Sequence, residues 1–159
     1  MKGMTMADSP IHHASFSVER AYRSPRQRVF AAFTSAEARR RWLVETDGWT
    51  VHAYDPPAEV VPGAVESSRF SPPGADVVLT NDTTYLDVAP QERLIFAYAM
   101  TVDGKPLSSS LATVEFFDEG QGARIRFTEQ GAYLDGDVAG REAGTRELLD
   151  GLATELGEA

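Results

Sequence analysis

The stretch Tyr85-Leu86-Asp87-Val88-Ala89-Pro90-Gln91-Glu92-Arg93-Leu94-Ile95-Phe96 decides the fold. It reads as one strand ending near Val88, a turn at Pro90, which has no N–H to give a sheet ladder, and a second strand beginning at Arg93. The second strand alternates. Leu94, Phe96, Tyr98 and Met100 fall on one face and Arg93, Ile95, Ala97 and Ala99 on the other. A row of Phe, Tyr and Met on a single face is either packed core or the wall of an apolar pocket.

The same pattern continues outward. Turn signals stand at Asp55-Pro56-Pro57, Pro62-Gly63, Pro72-Pro73-Gly74, Asp103-Gly104 and Gly120-Gln121-Gly122. Together with Pro90 they cut the middle of the chain into six strands, at about 49–54, 64–71, 77–88, 93–102, 109–118 and 123–130. Strands joined by such short turns pair antiparallel. Before them, residues 15–22 alternate as a first strand. Ser24-Pro25 is a helix start, with Ser24 as cap and Pro25 in the first helical position. Val29, Phe30 and Phe33 follow at helical spacing, and Ser35 caps a second short helix that ends at Trp42. After the strands, residues 135–156 carry Leu148, Leu149, Leu152 and Leu156 at helical intervals.

The expected architecture is therefore α+β, in the order β-α-α-β6-α: a tail over residues 1–14 followed by one domain over 15–159. One long helix cannot cover a seven-stranded sheet unless the sheet curls around it, and the curl leaves a space between them.

Composition narrows the function. With 159 residues the chain can bury roughly two thirds of its unfolded surface. A formal charge of -9 opposes binding to nucleic acid or to an anionic membrane surface. There is no cysteine, hence no disulfide, thiolate chemistry or Cys-ligated metal. The N-terminus lacks the apolar core of a secretory signal, so a cytoplasmic location is expected. His12, His13 and His52 do not stand at metal-ligand spacing, and no nucleotide or nucleophile motif appears, so neither metal nor other cofactor is expected.

Two carboxylates stand out by strand parity. Glu66 shares a face with Ser68 and Phe70, and Glu129 shares one with Ile125 and Phe127. Facing inward, each sits in apolar surroundings suited to proton transfer or to holding a polar ligand group; turned outward, each is a surface partner for Arg69, Arg124 or Arg126. Arg39-Arg40-Arg41 reads as a solvated helix end. Gly136, Gly140 and Gly144 form a stripe that opens space beside the last helix, lets the helix pack closely on the sheet, or marks a helix start later than Asp135.

The element order, with Ser24-Pro-Arg-Gln-Arg-Val-Phe30, Trp42, Pro62-Gly63, the Tyr85–Phe96 segment and Leu111-Ala-Thr-Val-Glu-Phe116, resembles the Activator of Hsp90 ATPase homologue 1-like family of the START-like or SRPBCC superfamily. The resemblance implies a helix-grip fold with a hydrophobic ligand cavity between the sheet and the last helix. The residues expected to line it are Phe33, Trp42, Ser68, Phe70, Tyr85, Phe96, Tyr98, Met100, Phe127, Gly140, Gly144 and Leu148. Members often carry Trp-Trp where this chain has Trp42-Leu43, and Gly-Trp where it has Gly144-Thr145, which implies a roomier pocket.

Three functions follow from the resemblance. The first is binding of a small lipid-, flavonoid- or polyketide-like ligand without dedicated catalysis. The second is a polyketide cyclase or dehydratase using a buried Glu or Tyr, with Glu66 and Glu129 as catalytic candidates. The third is a co-chaperone or stress-response role contacting an Hsp90-like ATPase. Pairing of edge strands would make a homodimer.

Overall fold

A computed structural model describes residues 11–158. The elements are β1 (His12–Tyr22), α1 (Arg26–Thr34), α2 (Ala36–Arg39) continuing as a π-helical turn over Arg40–Val44, β2 (Thr50–Asp55), β3 (Val65–Ser71), β4 (Leu79–Ala89), β5 (Arg93–Val102), β6 (Lys105–Glu119), β7 (Gly122–Tyr133) and α3 (Val138–Glu155). The seven strands form one antiparallel sheet in the order β1-β7-β6-β5-β4-β3-β2. The expected α+β helix-grip arrangement is thus the observed one, with the long C-terminal helix packed on the sheet.

Where the strands differ from expectation, the chain gives a local reason. β1 begins at His12 because β7 runs on to Tyr133, so His12, His13 and Ala14 find partners in Tyr133, Ala132 and Gly131. That part of the expected tail is sheet, while residues 1–10 lie outside the described residues. β6 starts four residues early, at Lys105, despite Pro106. The register shifts there between Met100 and Thr101 of β5, and such an irregularity tolerates a residue without an N–H. Asp103 and Gly104 both take positive φ, 49° and 80°, as a tight two-residue hairpin requires.

The helices also correct the reading. α1 begins at Arg26 with Pro25 in the cap position and no side-chain cap bond. Ser24 instead bonds the other end of the chain. Glu158 accepts from the Ser24 hydroxyl (2.7 Å), the Ser24 amide (2.9 Å) and the Arg23 amide (2.5 Å). α3 starts at Val138, capped by Asp137, whose carboxylate takes the Gly140 amide at 2.9 Å. Gly136 therefore precedes the helix, at φ 73°. Gly140 serves the cap: a Cβ there would lie 2.2 Å from the Asp137 carboxylate.

The core lies where α1 and α2 meet the sheet. Phe33 packs edge-on against Trp42 (ring centroids 4.9 Å apart) and against Phe116 (5.4 Å), and Phe30 does the same to Phe116 (5.2 Å). Val29, Val18, Ile125, Leu149 and Leu152 close the layer, each at most 2% exposed. Burial of each such side chain is worth about 1.5–3 kcal/mol. The Trp42 indole donates to the Ala32 carbonyl at 2.9 Å, so the polar edge of a buried ring is satisfied.

Candidate functional site

The C-terminal half of α3 is held along one flank. The Tyr22 hydroxyl donates to the Leu149 carbonyl at 2.8 Å, Arg20 pairs with Asp150 at 3.3 Å, and Arg41 from the π turn pairs with Glu155 at 2.7 Å. These contacts fix the helix to β1 and to the π turn. Opposite the inner faces of β3, β4 and β5 the helix stands off, and a cleft of about 1230 Å³ lies between the layers.

Strand register arranges the cleft floor. Glu66 of β3 faces Thr83 of β4, Thr83 faces Tyr98 of β5, and Tyr98 faces Ser110 of β6, all in one cross-strand row. Glu66 and Tyr98 are two strands apart, roughly 10 Å at the usual strand spacing. Each is the centre of a polar cluster.

The first cluster joins Glu66 to Arg39. The guanidinium Nε donates to both carboxylate oxygens, at 3.0 and 3.2 Å, and Nη2 closes the fork onto Oε1. Both side chains are largely out of water, at 2% and 12% exposure. The hydroxyls of Tyr54 (3.2 Å) and Tyr85 (3.4 Å) also donate to Glu66. Burial works against the charge on Arg39, but the bond it gives to Glu66 and the nearby Tyr85 hold its pKa above the ordinary value. Burial and then the Glu66 charge push the Tyr54 phenol up to about 12 and the Tyr85 phenol higher still. Both tyrosines therefore remain neutral donors.

The second cluster surrounds Glu129, which is fully buried. It accepts from the hydroxyls of Tyr98 (2.5 Å), Tyr133 (2.7 Å) and Ser110 (3.2 Å), and Arg141 of α3 stands 3.5 Å away. Arg141 also donates to Tyr98 (3.1 Å) and Ser108 (2.8 Å). Gly131 makes this cluster possible. The Tyr133 ring folds over it so closely that a Cβ would lie 2.8 Å from the phenol oxygen and from the Ser110 hydroxyl. Tyr98 and Tyr133 are both held above the ordinary phenol pKa, by burial first and then by Glu129.

A family model described as Activator of Hsp90 ATPase homolog 1-like protein matches residues 23–157. The chain belongs to this family. Among solved structures, the Mll3558 protein from Rhizobium loti is 40% identical, with a TM-score of 0.81 over 91% of this chain and 98% of its own. A protein of Rhizobium leguminosarum is 32% identical, with a TM-score of 0.85 over 94% of this chain and 97% of its own. The AHSA1-like protein from Aeromonas hydrophila, at 19% identity and a TM-score of 0.69 over 91% and 92%, shares the fold. No curated protein matches the chain.

Placed in the family fold, the twelve residues expected around a cavity all border the cleft: Phe33 and Trp42 from the helices, Ser68 and Phe70 from β3, Tyr85 from β4, Phe96, Tyr98 and Met100 from β5, Phe127 from β7, and Gly140, Gly144 and Leu148 from α3. The two positions where members often carry a second Trp, here Leu43 and Thr145, border it too. A Cβ on Gly144 would meet nothing within 4 Å. Glu66 borders the cleft, whereas Glu129 lies behind Tyr98 and Arg141 and does not. Neither carboxylate takes the outward alternative; Arg124 and Arg126 pair with Glu19 instead, at 2.7 and 3.1 Å.

Arg39 corrects the reading of the arginine run. Only Arg40 and Arg41 are exposed. Its signal in the sequence was the i, i+3 spacing to the buried Trp42, which puts it on the core face of the helix. Arg141 was missed altogether. It falls four before Thr145 and seven before Leu148, on the α3 stripe that faces the sheet. Among the described residues no helix is long and apolar enough to cross a membrane, and no group of three or more His, Cys, Asp or Glu stands ready for a metal ion.

Proposed function

We propose that this protein binds a small, largely apolar molecule of lipid-, flavonoid- or polyketide-like character in the cleft between the sheet and α3. The observation that carries this reading is the pairing of a large aromatic-walled space with buried polar groups on its floor. Phe96, Tyr98, Met100 and Phe127 supply apolar wall, and Glu66, Tyr85 and Arg141 supply fixed donors and acceptors. Few precisely held polar groups in a mostly apolar concavity is the usual make-up of a ligand site.

The arrangement favours holding over proton transfer. Both Glu66 oxygens are already engaged by Arg39, Tyr54 and Tyr85, and the tyrosines are kept protonated, which supports anchoring roles for all of them. The co-chaperone reading rests on the family name, and stimulation of an Hsp90-type ATPase by the purified protein is its direct assay.

Thermal-shift screening against lipids, flavonoids and polyketides tests the binding reading. A ligand at a hundred times its Kd adds about 2.7 kcal/mol, a rise of roughly 5–10 °C in Tm for a chain of this size. Gly144→Leu should project into the space, raise the Tm of the free protein and reduce the ligand-induced shift. A panel without a single stabilising compound, or shifts that survive Gly144→Leu unchanged, would refute the reading.

A further inference from the structure

The charges around the cleft are unevenly matched. Every arginine that borders it already has its own carboxylate: Arg39 has Glu66, Arg41 has Glu155 and Arg141 has Glu129 behind it. A carboxylate, sulfate or phosphate group entering this space would thus find no unengaged cation on the floor. To bind, it would have to displace an existing pair and leave a buried negative charge without compensation.

The rim adds to this. Asp47, Asp135, Asp137 and Glu147 border the cleft, are exposed, and have no ion-pair partner among the described residues. Asp47 lies just after the π turn, Asp135 and Asp137 before the start of α3, and Glu147 midway along it, so they belong to the two elements that frame the opening. Counting all charges that border the cleft, three arginines face seven carboxylates, an excess of four negative charges. A concavity lined by one sign of charge sets up a field that repels ligands of that sign.

We infer that the cleft selects by charge, admitting uncharged or cationic apolar molecules and rejecting anionic ones such as fatty acids and phosphate-bearing lipids. This rests on the binding reading above and narrows its ligand class. A neutral phenol or alcohol group fits the floor, since the Tyr98 and Tyr85 oxygens, whose protons go to Glu129 and Glu66, can each still accept a hydrogen bond without demanding a charge.

Two fluorescent probes of the same skeleton test it: N-phenyl-1-naphthylamine, which is neutral, and 1-anilinonaphthalene-8-sulfonate, which carries one negative charge. Titrated into the full chain at low ionic strength, the neutral probe should bind roughly tenfold more tightly, and added salt should narrow the gap by strengthening sulfonate binding. The triple variant Asp47→Asn, Asp135→Asn, Glu147→Gln should narrow it as well. It spares Asp137, whose carboxylate caps α3. Equal or tighter binding of the sulfonate to the unaltered protein would overturn charge selection and leave the binding reading standing. Binding of neither probe would overturn both, and a gap unmoved by salt and by the triple variant would show that shape rather than charge sets the preference.

Discussion

Replacing Arg39 with Met should destabilise this protein severely, and the size of the loss follows from where its partner is left. Arg39 is 2% exposed and Glu66 is 12% exposed, so neither charge can fall back on water when the other is removed. Breaking one side of such a buried pair costs about 3–5 kcal/mol, because a desolvated charge remains. For a chain of this size that is a Tm loss of roughly 6–20 °C. Glu66→Leu alone should cost a similar amount by stranding the guanidinium. The double variant, Arg39→Met with Glu66→Leu, should return to within about 1 kcal/mol of the parent, since no charge is then buried and the volume is kept. Urea unfolding followed by tryptophan fluorescence measures all four corners of this cycle, whose coupling energy should exceed about 2 kcal/mol. Single variants that each lose under about 1 kcal/mol, with no coupling, would mean the pair is in effect solvated and would refute the reasoning.

Other expectations are more local. Gly131→Ala should cost about 1–3 kcal/mol, since its methyl group would force apart Tyr133 and Ser110, and the loss is readable in the same urea assay. All five tyrosines are held above the ordinary phenol value of 10.0, burial being the largest cause in each. Their folded pKa lies above the unfolded one, so this contribution is whole below pH 10 and falls as pH rises beyond it; tyrosinate absorbance at 295 nm should appear only together with alkaline unfolding. Glu158 behaves in the opposite sense. Burial alone would raise its pKa, but the bonds from Ser24 and Arg23 bring it below 4.5, so its contribution is present above that pH and is lost as pH falls through the lowered value. Glu158→Gln should flatten the acid limb of a stability-against-pH curve.

Alternation made the sheet readable. The face of Leu94, Phe96, Tyr98 and Met100 follows from the period of two, and the same parity turns Glu66 and Glu129 inward. Turn chemistry placed the hairpins, because Asp103-Gly104 has few conformations open to it. The polar half of the site was harder to see. An arginine in a run of three looks solvated, and only the tertiary position of Trp42 decides which of the three turns inward. The expected last strand stops at about residue 130, whereas β7 runs on to Tyr133 through Gly131. The purpose of Gly131, room for the Tyr133 ring, exists only once β6 and β7 are paired. Pro106 stands beside a bulge at Leu107 of β6 itself, which likewise exists only once β5 and β6 are paired.

The union of β1 with β7 has a consequence for how the chain acquires its shape. Tyr22 meets Ala123 and His12 meets Tyr133, partners more than a hundred positions apart, whereas every other pairing in the sheet joins neighbours in sequence. Such distant closure carries the largest entropic barrier and slows folding. During synthesis the first strand emerges long before its mate exists, and it must wait unpaired until the ribosome has released nearly the whole domain. Joining the two ends and reopening the circle at Asp103-Gly104 would leave only α3 between β7 and β1 but would send the paired strands β5 and β6 to opposite ends, so that permuted chain should fold no faster than the natural order.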